Sequence, residues 1–500
     1  MEVLRVGHGS HEHGKDVIAV DTKGKVHAYQ LKDGNLGLDD YEKLYAQVQA
    51  LVETQVEHPQ LRSAVRHESW LVISGEATMP AEDRIRVHNL KWKGRKLGPL
   101  RLMTGRTLVR KFVAMSANFW PQKPEDSRSL LSLYLADGLG VLDRSAFAKL
   151  ITDVVATSEN APKTEVARRI SAANIFTNYA LSSFYRAKNH WEVIQGWTIT
   201  ASAVAWAANK ACLSLKNWRP VFRIAVEAAL GALSDACDDT LEPHALFPNG
   251  FELDELTRSR SMICAGLLAA KILLCRIGGD PWSREAAAAS LLKKLIEEGR
   301  MLVWGEGAIP FMLMQMWAFD NLQADFAGDR YLFASIGAIL QLSSPGNVLK
   351  IASPYSSADK ALARIVETIL GKSKLKVPES AASYYLETLV FLAARRLWKN
   401  LLSGFWLQIT YVDLIQIAAD EPADLLLWHW GHGRGVNQSR RFGTPQSWSE
   451  LLASAREPAD HLLPPVLKDE TDFALLFTLC IPHRFNSALA RHFEAALRGI

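Results

Sequence analysis

Five hundred residues are too many for one compact core, so two to four domains are expected. A hydrophobic share of 48% with 22% charged residues belongs to a folded soluble chain and excludes low-complexity or fibrous classes. The net charge of +4 excludes nothing alone, but residues 1–120 hold 18 basic and 14 acidic residues and so carry the whole excess.

Asp16–Val20 and Val26–Leu31 are short apolar runs separated by Asp-Thr-Lys-Gly-Lys, a hairpin pattern. Leu38, Tyr41, Leu44, Tyr45, Val48, Leu51 and Val52 then recur at three- and four-residue steps, which predicts a helix over 38–56. Asp39 and Asp40 suit the positive end of its dipole. Trp70–Ile73 reads as a buried strand, and Pro80 is tolerated in the first turn of a following helix. Leu100–Met103 is a further strand, followed by a short helix around Leu108–Val113. The order β-β-α-β-α-β-α predicts a small α/β domain over residues 1–118. Residues 119–127 have the composition of a linker. From 128 to 500 almost every segment has helical period, as in 222–233 and 384–402. An all-α region is expected there, a helical array or irregular helical domain, divided near 345–380 where breakers concentrate.

The hairpin carries the sharpest chemistry. If Thr22-Lys23-Gly24 forms a three-residue loop with Gly24 left-handed, residues i and j pair with i + j = 46, and Asp16 faces Gln30. A two-residue Lys23-Gly24 loop would shift this register by one. Lys32 shares a sheet face with Gln30. A carboxylate, an amide oxygen and an ammonium then converge, a set suited to phosphodiester hydrolysis. The two oxygens suit a hard cation, and the lysine suits the developing charge. A surface hairpin with ordinary polar residues is the competing reading, since so short a pattern recurs by chance.

Gly14-Lys15-Asp16-Val17-Ile18, a glycine-bearing turn and Tyr29-Gln30-Leu31-Lys32 resemble the PD-(D/E)xK nuclease superfamily, and within it the Mrr-like restriction endonucleases, where Q-x-K commonly replaces (D/E)-x-K. Trp70–Gly75, the Ala-bearing segment after it, Leu100–Gly105 and Leu108-Val109 resemble the later elements of that fold. The resemblance covers about residues 1–118 and implies a restriction-endonuclease-like domain. It also implies that Asp16 and Gln30 are metal ligands and Lys32 the catalytic lysine. Mg2+ (or Mn2+) is the implied cofactor, DNA the implied substrate, and restriction or defence the implied setting. Such cutters often need two active sites for a double-strand break, so a homodimer is also implied. The family's usual helix ahead of the Asp strand, often carrying a Glu, has no counterpart in this sequence. Glu12, four residues before Asp16, is expected to contribute in its place.

Other features are weighed against this. His8, His11 and His13 lie in a glycine-bearing stretch without zinc-type spacing and read as a rim loop. Arg84–Lys111 holds ten basic and no acidic residues; Lys91, Lys93, Arg95 and Lys96 are the candidate phosphate contacts, against the alternative of a solvated helix face. The stretch 428–443 reads either as a basic, aromatic nucleic-acid surface or as a loop tethered by buried tryptophans. Asp235, Asp238, Asp239, Glu242 and His244 read as a solvated helix end rather than a cation site. Five cysteines without C-x-x-C pairing read as buried thiols in a reducing compartment. No secretory signal precedes the first strand, and the uncharged stretch Val193–Asn209 is too polar to span a bilayer, so no membrane is expected and the expected location is cytoplasmic. The helical region is expected to recognise a protein partner or a trigger. A degenerate nuclease domain used as a nucleic-acid-binding or scaffold subunit is the alternative function.

Overall fold

The computed structural model describes residues 2–6, 15–21, 23–57, 61, 64–116, 124–158, 161–242, 254–299, 301–322, 329–343, 353–369, 381–429, 435–443, 446–457 and 460–498. It divides into two compact units, 1–120 and 121–500.

The first unit is a five-stranded mixed sheet with helices. Its strands are β1 (Glu2–Val6), β2 (Val17–Val20), β3 (Val26–Lys32), β4 (Glu68–Ile73) and β5 (Leu100–Met103), lying side by side in that order. The first three are antiparallel; β3, β4 and β5 run parallel. Helices α1 (Leu38–Glu53), α2 (Met79–Gly94) and α3 (Gly105–Ser116) follow β3, β4 and β5. Strand β1 was not among the expected elements. It pairs with β2 through a register shift between Val3 and Arg5.

The hairpin takes the three-residue register. Val17 faces Tyr29 and Val20 faces Val26, so i + j = 46 throughout. Gly24 has φ +79°, and its N–H donates to the Asp21 carbonyl at 2.9 Å. A left-handed residue closes this loop type at least cost when it is glycine. Alternation along β3 buries Val26, Ala28 and Gln30. Val26 and Ala28 join Tyr41, Leu44, Val48 and Leu51 of α1 and Ile85 and Trp92 of α2 in one core. The core therefore sits on the face of the sheet to which the even-numbered β3 residues point.

The second unit is mostly helical, but not all-α. Strands β6 (Ala381–Ser383), β7 (Val412–Ala419) and β8 (Gly435–Arg440) form a three-stranded sheet. β8 reads Gly-Val-Asn-Gln-Ser-Arg and is mostly exposed, so it carries no apolar alternation; its pairing with β7 makes it a strand. Of the expected linker 119–127, residues 124–127 belong to the helix Pro124–Tyr134, with proline in a tolerated first position, and 119–123 lie outside the described residues. The stretch 384–402 contains a helix over Leu386–Arg395 and the start of another over Lys399–Ile409, separated at Leu397 with φ +61°. Within 345–380 the described part holds the helix Ala358–Ile369. All five cysteines are free, but only Cys237 and Cys480 are buried, and Cys212 is exposed. By length and mean hydropathy (1.7), Glu255–Gly278 is the one described helix able to cross a membrane, and 56% of that window is buried inside the protein.

Glu306 is fully enclosed in this unit and accepts from the Ser383 hydroxyl and the Tyr384 and Tyr385 N–H groups. Burial pushes its carboxyl up to about 7, against the downward pull of those donors. The folded value lies above the ordinary 4.5, so the native state binds the extra proton in between. Stability from this group is present at low pH and is lost as the pH rises through about 7. Melting temperature is expected to decline less between about pH 5 and about pH 8 in Glu306→Gln than in the parent. Equal declines would exclude this carboxyl as a source.

Candidate functional site

The carboxyl ends of the parallel strands β3, β4 and β5 form one edge of the first unit. Backbone bonds stitch it together: Ser74 N–H donates to the Lys32 carbonyl (3.1 Å), Gly75 N–H to Gly34 (2.9 Å) and Gly105 N–H to Gly75 (2.8 Å). The chains approach so closely that a Cβ on Gly105 would overlap the Ser74 carbonyl oxygen. Gly105→Ala is therefore expected to cost roughly 1–3 kcal/mol through forced backbone movement, read as a lower urea midpoint. An unchanged midpoint would show that the edge gives way freely.

Asp16 precedes β2, and because β2 runs antiparallel to β3 it lies beside the end of β3. Its N–H donates to the Tyr29 carbonyl at 2.8 Å. Its Oδ2 accepts from Gln30 Nε2 at 2.7 Å and from the Leu31 N–H at 2.6 Å. Asp16 and Gln30 are both buried. The Gln30 Oε1 is buried with no hydrogen-bond partner among the described residues. Lys32 is exposed at the end of the same strand. Of the sequence-based candidates, Asp16 and Gln30 are in direct contact and Lys32 lies two residues along from Gln30. Glu12, His8, His11 and His13 lie outside the described residues.

Two further groups at this edge were not singled out from the sequence. Asp33 accepts from the Ser74 hydroxyl at 2.6 Å and from the Gly34 N–H at 2.9 Å, and the Ser74 hydroxyl, followed by that N–H and the Lys32 ammonium, holds its carboxyl below the ordinary range. Only the proximity of Asp33 to Q-x-K hinted at it. Lys15 is buried, and burial lowers its ammonium to about 8. Its position beside Asp16 was visible in the sequence, but its burial was not.

The fit to a hard cation rests on oxygen donors. The Asp16 carboxylate and the partnerless Gln30 Oε1 are of the right kind. Among the described residues no three His, Cys, Asp or Glu side chains gather as a metal cluster.

The basic run divides between the two ends of the sheet. Lys91, Lys93, Arg95 and Lys96 are exposed at the end of α2 that leads into the start of β5. A sixteen-residue helix is about 24 Å long, so they stand at the opposite edge from Asp16, and Arg95 is paired with Glu53 at 3.1 Å. The structure does not bring these four to the candidate site. Arg86 and Arg106 are nearer: Arg86 lines a groove of about 510 Å3 with Glu76, Glu82, Thr104 and Thr107, and Arg106 lies 3.6 Å from Glu76.

In the second unit, Asp238 and Glu242 both pair with Arg284 at 3.3 Å and Asp239 with His190 at 3.2 Å. His244 and residues 430–434 lie outside the described residues. Arg440 pairs with Glu387, and Arg441 with Asp413 at 2.6 Å, so both arginines are neutralised locally. Comparison with protein-family models, curated proteins and solved structures gives no match.

Proposed function

We propose that the first unit is a metal-dependent nuclease of the PD-(D/E)xK kind, cutting phosphodiester bonds of DNA. The observation that carries this reading is the buried contact between Asp16 and Gln30 across two antiparallel strands, with Lys32 following on the second. The order of three antiparallel strands followed by two parallel ones also agrees with it.

Asp16 and Gln30 would hold Mg2+ (or Mn2+), which when bound supplies charge neutralisation and a more acidic water. The protein's own part is positional. The N–H of Leu31 and the amide of Gln30 orient the Asp16 carboxylate. The exposed Lys32 ammonium offers a positive charge to a phosphate or an attacking water. Arg86 and Arg106 stand near this edge but pair with Asp83 and Glu76, while the Lys91–Lys96 group at the other edge suits a contact further along the polymer.

Restriction or defence is the proposed setting, with the second unit recognising a partner or trigger, and a homodimer is the proposed assembly for cutting both strands. Linear and supercoiled DNA incubated with the purified chain should be cut with Mg2+ and left intact with chelator. Cutting that ignores chelator would overturn the site. The second reading, a nucleic-acid-binding subunit that does not cut, is favoured by the neutral Gln30 standing where a second carboxylate would ligate a cation more strongly. It predicts DNA binding with no cleavage under either condition.

A further inference from the structure

The odd-numbered residues of β3 point to the face of the sheet away from the α1–α2 core. Residues in register on neighbouring strands share a face. Tyr29 pairs with Trp70 and Trp70 with Arg101, so these three make one row across β3, β4 and β5. His27 and Glu68 form the row beside it. The rings of His27, Tyr29 and Trp70 are half-buried and run nearly parallel. Their centroids are 6.4 Å and 6.3 Å apart, with 20° between planes at each step. Leu31, on the same face, is 43% exposed.

Cations gather at the Trp70 end. The Arg101 guanidinium lies 5.2 Å from the Trp70 ring centroid and the Lys111 ammonium 5.8 Å from it. Arg101 comes from β5 and Lys111 from α3, so two elements bring positive charge to one ring. Glu68 pairs with Arg101 at 2.9 Å and also with Lys25, and one carboxylate offsets only one of these charges. Lys111 is exposed and has no carboxylate partner among the described residues. Asp21 stands 3.4 Å from His27, at the end of the face away from Trp70. A surplus of positive charge beside aromatic rings favours a polyanion that can also stack.

The spacing of the rings selects the form of that polyanion. Bases in a duplex stack about 3.4 Å apart and keep their faces covered. Rings 6.3 Å apart can receive only bases that have been splayed, as in an unpaired strand.

We propose that this face binds single-stranded DNA, with bases stacked on Tyr29 and Trp70 and phosphates at Arg101 and Lys111. The choice of DNA rests on the nuclease reading. Tyr29 is three residues from Lys32, about 10 Å along β3, so the strand is held close to the edge that cuts. The preferred substrate is then DNA in which an unpaired stretch adjoins the bond to be broken.

Fluorescence anisotropy of the full chain in chelator tests this with a labelled oligothymidylate of about 12 nucleotides. An abasic strand and a duplex of the same length are the comparisons. The thymidylate should bind about tenfold or more tighter than either, because only it offers free base faces. Trp70→Leu keeps apolar bulk but removes the ring and should weaken thymidylate binding by about tenfold or more. Lys111→Ala should weaken it and reduce the salt slope by about one. Circular dichroism of each variant ensures that only folded chains are compared, and Lys111→Ala decides the matter if Trp70→Leu does not fold. No thymidylate binding below about 100 μM overturns the proposal. Equal binding of the abasic strand or the duplex, or unchanged binding and salt slope in Lys111→Ala, overturns it as well. A chain that binds the strand but cuts nothing in Mg2+ fails the nuclease reading alone. A chain that cuts duplex in Mg2+ but binds no unpaired strand fails this proposal alone.

Discussion

Asp16→Ala is expected to abolish Mg2+-dependent DNA cutting, with a loss of roughly a hundredfold or more, the scale seen when one group that stabilises transition-state charge is removed. The same substitution has a structural effect, because the Asp16 carboxylate accepts from Gln30 Nε2 and from the Leu31 N–H in a buried position. Leaving those donors without an acceptor costs about 1–3 kcal/mol. The two effects separate with Asp16→Asn, which keeps an acceptor oxygen and removes the charge. Asn is expected to restore most of the urea midpoint lost in Ala while restoring no cutting. Recovery of both would mean that the carboxylate serves the hairpin and not the chemistry.

Arg396→Ala is expected to be the most damaging single change in the second unit. The Arg396 side chain is almost fully buried and reaches Asp329 at 2.5 Å, Glu494 at 2.6 Å and Asp320 at 2.9 Å. Glu494 also accepts from Trp317 Nε1 at 2.8 Å. The guanidinium therefore joins the helices Ile309–Leu322, Asp329–Ser343 and Ser487–Arg498 to the end of Leu386–Arg395. Burial works against its charge, but Glu494, with Asp320 and Asp329, outweighs burial and keeps it protonated. Removing one partner of a buried ionic group leaves the others uncompensated, at about 3–5 kcal/mol. That is a large share of a typical domain stability of roughly 5–15 kcal/mol. Arg396→Lys keeps the charge but not the planar fork, so it should recover only part of the loss. Arg441→Ala, at the half-exposed pair with Asp413, is the matched control and should cost no more than about 1 kcal/mol. Equal melting temperatures for the Arg396 and Arg441 variants would contradict this account of the unit.

The parts legible in the sequence were those set by local chemistry. Gly24 fixes the loop type, the loop type fixes the register, and the register places Asp16 against Gln30. The apolar spacing of Tyr41, Leu44, Val48 and Leu51 marked α1, and Pro80 marked the start of α2. Other features depend on partners distant in the chain. β8 is a polar strand held by its pairing to β7. The break at Leu397 has no glycine or proline to announce it. The charge run Arg84–Lys111 gave no hint that α2 carries its middle, Lys91–Lys96, to the edge opposite Arg106. The aromatic row unites Tyr29, Trp70 and Arg101, which lie far apart in the chain.

The most direct test of the nuclease reading is single-turnover cleavage of a DNA duplex in Mg2+ by the parent chain and by Lys32→Ala. Lys32 is exposed, so its loss leaves the buried Asp16–Gln30 contact and the core in place. The parent is expected to cut and the folded variant to bind DNA without cutting. A Lys32→Ala chain that cuts as fast as the parent would contradict the assignment of this edge as the catalytic site.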